Sequence, residues 1–378
     1  MRWGVVAAAF AALSVAACAT PYEHGPVPPG YPPLPTPAPA PVAPPRRPEA
    51  PRILELSQLP GWASDDHDAA FEAWRATCHA SRDPALADLC ARARSIGPIS
   101  AGDGRRFFER SFQAERIGAD GDGVLTAYFA PAYQARRQPD AEFSAPVRPK
   151  PADLVVADGG IVLRTLPDGS AELYPDRAAI EATPIDTSLA WMRPEELFFL
   201  QVQGSGVLTF EDGARVKALY AAHNGRPFAG IANPMRDRGL LARDNTGGDA
   251  IRGWLATHRG PEADEVMRLN PRYAFFRLAP DDGKPPVGAA NIPLSAGRAV
   301  AVDPAYHAMG ELLWIDAEAP LLAGAFPAYR RLVTALDTGG AIKGDVRADL
   351  YLGQGAAAGA EAGRVRHALR LYRLVLRR

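Results

Sequence analysis

Leu332-Val-Thr-Ala-Leu-Asp337-Thr-Gly-Gly-Ala-Ile-Lys343-Gly-Asp345-Val-Arg-Ala-Asp349-Leu-Tyr-Leu-Gly353 is the stretch on which the fold turns. An apolar run, 332–336, delivers Asp337, Gly339 and Gly340 turn the chain, and a second apolar run, 350–352, starts directly after Asp349. The pattern reads as strand, glycine turn, strand, with a carboxylate at each end of the turn. A solvated turn would use both aspartates to cap its own amides. A turn lying in a cleft would hold them against the apolar strands instead. In that case burial raises the pKa of one aspartate, while a neighbouring cation or amide cluster, such as Lys343 or Arg347, keeps the other ionised.

Asp337-Thr338-Gly339 also matches the D-T-G triplet of aspartic proteases, a chemistry that needs two triplets sharing one proton. The other candidate, Asp244-Asn245-Thr246-Gly247, carries an inserted residue and follows no apolar strand, which sets that reading aside. Outward from the turn, the last hundred residues are strand-rich, with runs at 298–302, 312–315, 331–336 and 369–376. From Val124 to about residue 277 short apolar runs alternate with Gly, Pro and Asp turns: 124–129, 154–156, 160–163, 197–202, 207–210 and 216–220. Helical patterns at 249–258 and 262–269 interrupt them. Toward the N-terminus, Ser64 stands where a helix cap would precede Ala70, Phe71 and Trp74, Asp83-Pro84 starts a second short helix, and 105–114 reads as a third. Many short strands between turns predict a mainly β chain with some α, built as barrels or sandwiches rather than a parallel βαβ sheet.

The full chain has 378 residues, 47% of them hydrophobic and 22% charged, which excludes global disorder and a polytopic membrane protein. Its 42 basic and 43 acidic side chains leave a net charge of -1, so no nucleic-acid footprint is present. Fourteen of the 37 prolines fall between Pro21 and Pro51. That segment has few amide donors and few large apolar residues, and reads as an extended spacer of roughly 3.1 Å per residue rather than as an SH3-type ligand. Ahead of it, Arg2 and the apolar run 5–17 form a signal-peptide core, too short for the about 20 residues that span a bilayer. Small residues, Val15-Ala16-Ala17, precede Cys18 as in bacterial lipoprotein signals, in which the cysteine is acylated; Ala19 in place of Asp favours the outer membrane. Export puts Cys78 and Cys90 in an oxidising compartment, where a structural disulfide between them is one of two open outcomes.

Metal and cofactor chemistry find no footing in the pattern. His24, His67, His79, His223, His258, His307 and His367 show no ligand-like spacing with a cysteine or carboxylate. Asp120-Gly-Asp-Gly123 starts like an EF-hand loop but has Pro131 where the bidentate Glu belongs. No phosphate-binding glycine loop is present, and Gly204-Ser205-Gly206 does not meet G-x-S-x-G. The expectation is an enzyme with no metal and no cofactor.

Several stretches together carry a resemblance. They are Thr126-Ala-Tyr-Phe-Ala-Pro131, Phe198-Phe-Leu-Gln-Val-Gln203-Gly-Ser205-Gly, Tyr220-Ala-Ala-His-Asn224-Gly and Asn270-Pro-Arg-Tyr-Ala-Phe-Phe-Arg277. Ala301-Val-Asp303, the Asp337 to Asp349 segment and Ala360-Glu-Ala-Gly363 follow. In this order they resemble the membrane-bound lytic murein transglycosylase A family, bacterial lipoproteins that cut peptidoglycan glycan strands. Ala127, Phe129 and Ala130 depart from the family's T-G-Y-Y-x-P, which touches the sugar contacts of that strand.

The resemblance implies a double-psi β-barrel with a second, β-barrel-like domain inserted and a groove between them. The corresponding segments are a signal peptide at 1–17, a lipidated tether at 18–51, a catalytic barrel from 52–130 and 280–378, and the insert at 131–279. It further implies Asp349 as catalytic acid, Asp337 as the acid that supports it, and Thr126, Tyr128, Gln203, Ser205 and Lys343 lining the groove. Among the aromatics, Tyr128 is expected to contact sugar, and Tyr220, Phe228, Tyr273, Phe275 and Phe276 mostly to fill cores. Gln203 and Ser205 could equally satisfy turn amides. The implied partner is the glycan strand, reached from an outer-membrane lipoprotein facing the periplasm. The implied reaction needs one acid, against a two-aspartate hydrolase or a non-catalytic peptidoglycan-binding lipoprotein as alternatives.

Overall fold

The computed structural model describes residues 53–118, 123–185, 187–320 and 327–377. The signal peptide, Cys18, the proline-rich tether and the Asp120 turn lie outside the described residues. Six strands carry the site: β1 (Gly123–Ala130), β2 (Ala299–Val302), β3 (Leu312–Pro320), β4 (Ala328–Thr338), β5 (Arg347–Gln354) and β6 (Arg366–Leu376). They neighbour one another in the order β6-β3-β4-β2-β5-β1, and β1 then pairs with β6, so the sheet closes into a six-stranded barrel. The β2–β4 and β5–β1 pairs are parallel and the others antiparallel. This is the double-psi arrangement in a mostly β chain. Closure leaves none of the six strands as an open edge.

Alternation fills the inside. Val300 and Val302, Leu313 and Ile315, Val333 and Ala335, Ala348 and Leu350, and Leu369 and Leu371 are buried together with Leu125. Period two then sends the intervening residues to the outer face of the wall. On one outer side Trp62, Phe71, Trp74, Phe108 and Phe112 pack against Leu312, Trp314, Leu332 and Tyr372. The aromatics come from the helices His67–Thr77 and Asp103–Ser111 and their flanks. Asp66, not Ser64, caps the first helix by accepting from the Ala69 N–H at 3.0 Å, because Ser64 is already the end of a short helical turn, Trp62–Ser64. The third helix stops at Ser111, and Phe112–Ile117 continues as a strand paired to β6. Cys78 and Cys90 are bonded, with Cα atoms 5.6 Å apart.

The segment between β1 and β2 builds the other sheets. A four-stranded sheet has the order Ala274–Pro280, Arg215–His223, Ser205–Thr209, Ala132–Gln134. Beside it stand a three-stranded sheet from Leu154–Val156, Val162–Thr165 and Ala171–Leu173, and a pair from Ala145–Val147 and Ala190–Met192. The run 197–202, grouped above with the strand-like runs, lies instead in the helix Pro194–Gln203. Pro194 sits at its first turn with Glu195 and Glu196, and Gly204 closes it at φ 87°. Leu197, Phe198, Phe199 and Leu200 are all buried, so no periodicity reveals the helix. The described residues pack as a single compact unit, and among them no helix is long and apolar enough to cross a membrane.

Candidate active site

Register places the two aspartates. Ala301 of β2 pairs with Asp349 of β5 on one side and with Asp337 of β4 on the other, and Asp349 pairs in turn with Thr126 of β1. Asp349, Ala301 and Thr126 are in step with the outer face. Asp337 is not: by alternation it would follow Val333 and Ala335 inward. A register shift between Val300 and Ala301 inserts Leu336 as an extra residue, and Asp337 turns outward opposite Ala301. The bulge therefore makes a row of four residues, Thr126, Asp349, Ala301 and Asp337, on one face. Ala301, between the acids, adds only a methyl group.

Each acid has its own donors. The Thr126 hydroxyl donates to Asp349 Oδ1, and Arg347 Nη2 donates to the Thr126 oxygen at 2.8 Å. Because a hydroxyl has one proton, the arginine on its oxygen directs that proton at Asp349 and leaves Oδ2 open. Asp337 accepts from the Tyr128 hydroxyl at 2.7 Å and from the amides of Ala289 and Thr338 at 3.0 and 2.9 Å. Burial raises the pKa of Asp349; Arg347 and Thr126 pull it back in part, and Asp337 adds to the rise. Burial also raises Asp337, against the three hydrogen bonds that favour its anion. The expectation that burial raises only one of the two aspartates is thus corrected: desolvation outweighs the hydrogen bonds at both. Buried beside the acids, the Tyr128 phenol is pushed well above its ordinary value and keeps its proton to donate.

A cleft of about 240 Å³ opens over the Thr126 and Asp349 end of this row. Thr126, Ala127, Tyr128, Arg347 and Asp349 line it from the barrel, with the turn 339–342 beside them. Arg177, Gln201, Val202, Gln203, Phe228, Asn270, Arg272 and Ala274 line it from the segment between β1 and β2. Gln203 reaches across: at a second register shift, between β5 and β1, the Phe129 N–H donates to Gln203 Oε1 at 3.0 Å.

Of the residues expected in the groove, Thr126, Tyr128 and Gln203 do line the cleft with Asp349, and Asp337 stands behind Tyr128. Ser205 and Lys343 do not. Ser205 is paired to Leu219 within its sheet, and Lys343 points outward, 3.6 Å from Asp303. Arg347 and Arg272 went unassigned as site residues, although the second lies inside the Asn270–Arg277 motif. Phe228 lines the cleft rather than a core, whereas Tyr273, Phe275 and Phe276 are buried as expected. Among the described residues no group of three or more His, Cys, Asp or Glu side chains is placed to hold a metal ion.

The chain is similar to known proteins over most of its length. Residues 124–277 match the model of the MltA specific insert domain, and residues 298–375 that of the 3D domain. A membrane-bound lytic murein transglycosylase A from Vibrio cholerae is 32% identical over 291 residues, 74% of this chain and 73% of that protein. The crystal structure of a membrane-bound lytic murein transglycosylase from Agrobacterium tumefaciens superposes with a TM-score of 0.75 at 33% identity, covering 86% of this chain and 97% of the other. MltA from E. coli with bound chitohexaose superposes with a TM-score of 0.63 at 28% identity, covering 83% and 91%.

Proposed function

The chain belongs to the membrane-bound lytic murein transglycosylase A family, and on that premise we propose that it cleaves the β-1,4 bond between MurNAc and GlcNAc of peptidoglycan with one carboxyl group, that of Asp349. The observation that carries the reading is the Asp349 carboxyl in the cleft, raised by burial and with Oδ1 occupied by Thr126. A raised pKa extends toward neutral pH the range in which Oδ2 keeps its proton, beyond that of an ordinary aspartate.

Protonated Oδ2 gives its proton to the bridging oxygen as the C1–O bond breaks. The resulting carboxylate then accepts the proton of the C6 hydroxyl on the same MurNAc. The freed oxygen attacks C1, closing a 1,6-anhydro ring and returning Asp349 to its starting state. A hydrolase needs a second carboxylate to activate water or to form the covalent intermediate. Here the nucleophile is part of the substrate, and intramolecular attack reaches effective molarities of about 10⁵–10⁸ M. Asp337 is held by three donors, and its role in this reading is to fix Tyr128 and to add to the rise at Asp349.

The barrel with its N-terminal helices, 52–130 and 280–378, is the catalytic lobe in this proposal, and 131–279 is the substrate lobe across the groove. Acylation of Cys18 would anchor the chain to the outer membrane on the periplasmic side. Digestion of purified sacculi followed by mass spectrometry tests the chemistry. The expected products end in 1,6-anhydro-MurNAc. Reducing MurNAc ends would instead assign Asp337 and Asp349 jointly to a hydrolase, and the absence of any turnover would leave a glycan-binding lipoprotein.

A further inference from the structure

Three cations line the cleft, and two are accounted for. Arg177 is buried and paired with Glu181 at 3.2 Å, and Arg347 lies against Thr126 and Asp349. The third, Arg272, has no carboxylate partner among the described residues. Its Nη1 donates to the Arg226 carbonyl at 3.2 Å, and its half-buried guanidinium lies against the turn that follows Asp337. Gly340 leaves room for that approach: a Cβ there would lie 3.1 Å from the Arg272 Cζ, a tight contact that would push the guanidinium by a few tenths of an ångström. His223 beside it is pushed down to about 4 by burial and then by Arg272, so it stays neutral and Arg272 is the charge at that place. Burial works against the guanidinium's own charge, with only the Tyr220 phenol opposing. A forked, desolvated donor facing a substrate cleft without an anion is built to receive one, and a carboxylate fits its geometry with two parallel hydrogen bonds.

We propose that Arg272, seated on Gly340, is a subsite for a carboxylate carried by the glycan substrate. The proposal rests on the reading of the substrate as peptidoglycan. That polymer offers such a group from two sources: the lactyl ether of MurNAc where no peptide is attached, or the stem peptide where one is.

Calorimetric titration of three oligosaccharides into the Asp349→Asn protein, with and without Arg272→Gln, separates the cases. The probes are uncharged chitohexaose, a peptide-free GlcNAc–MurNAc oligomer, and the same oligomer bearing stems. Arg272→Gln is expected to weaken a carboxylate-bearing oligomer at least about tenfold, through loss of the charge-assisted pair of hydrogen bonds, and to leave chitohexaose within about twofold. A loss confined to the peptide-free oligomer assigns the lactyl carboxylate; a loss confined to the stem-bearing one assigns the peptide. Arg272→Lys should recover part of the affinity, and added salt should narrow the gap. Equal weakening of all three probes, or of none, overturns the subsite. If Arg272→Gln no longer melts cooperatively, Gly340→Ala, which crowds the guanidinium, must give the same split. These readouts are binding constants, so a failure of the lytic chemistry would appear separately, in the sacculus digest.

Discussion

Asp349 is a carboxyl that the fold holds in its less soluble form. Its folded-state pKa lies above the ordinary value of 3.8, so between those two pH values the folded chain binds more protons than the unfolded one. Stability then falls as pH rises through that window and stays lower above it. Activity that needs the protonated acid is lost over the upper end of the same window. Asp349→Asn removes the ionisation while keeping the shape. It should therefore melt at or above the wild-type temperature at pH 7, with no difference near pH 3, and lose activity on the order of 10³-fold. A variant that melts clearly lower at pH 7 would mean that the native carboxylate is stabilised by its donors, against the direction argued here. Both aspartates were readable from sequence, because two acids at the ends of a glycine turn between apolar strands is a local pattern. That both are raised was not, since Ala301 and Thr126 meet them only through strand pairing.

At the scale of the element, what sequence hid was register and one helix. The bulge at Leu336 leaves no compositional mark, yet it decides that Asp337 lies on the outer face, behind Tyr128, and not in the barrel interior. Alternation along 331–336 correctly gives the strand, and the one-residue insertion then reverses its last side chain. The helix Pro194–Gln203 buries four consecutive apolar residues, Leu197 to Leu200, so it reads as a plain apolar run, although its proline start and glycine stop were both visible. That helix ends on Gln203, whose acceptor holds the Phe129 N–H next to Tyr128. Gln203→Ala leaves the amide without that partner and loosens the strand that carries Thr126 and Tyr128. The expected result is a loss of about 1–2 kcal/mol in urea denaturation and about a tenfold drop in kcat/KM. Gln203→Glu keeps the acceptor and should keep the stability. If Gln203→Ala changes neither quantity, the link between helix and strand carries no energy.

Across the whole molecule, the barrel is closed by a strand from far away in the chain. β1 pairs with β5 in parallel and with β6 antiparallel, while β2 to β6 all lie beyond residue 298. The matched 3D segment, 298–375, holds five of the six strands and lacks the one that closes them. Without β1, strands β5 and β6 become open edges, and Leu125 leaves a hole in the interior core. The acid also loses Thr126, its hydrogen-bond donor from β1. Residues 281–378 expressed alone should consequently show no cooperative thermal transition and should associate through their exposed edges. The chain from residue 52 to 378 should melt in a cooperative transition. A soluble, monomeric 281–378 fragment with a sharp melt would show that five strands close by themselves and that β1 only decorates the barrel. The sequence motifs that mark a family and the piece of chain that can fold are different objects here, because the glycine turn is local and the closure that buries its aspartates is not. Loop closure across the intervening segment must precede the contacts that reward it, which places assembly of the site late in folding.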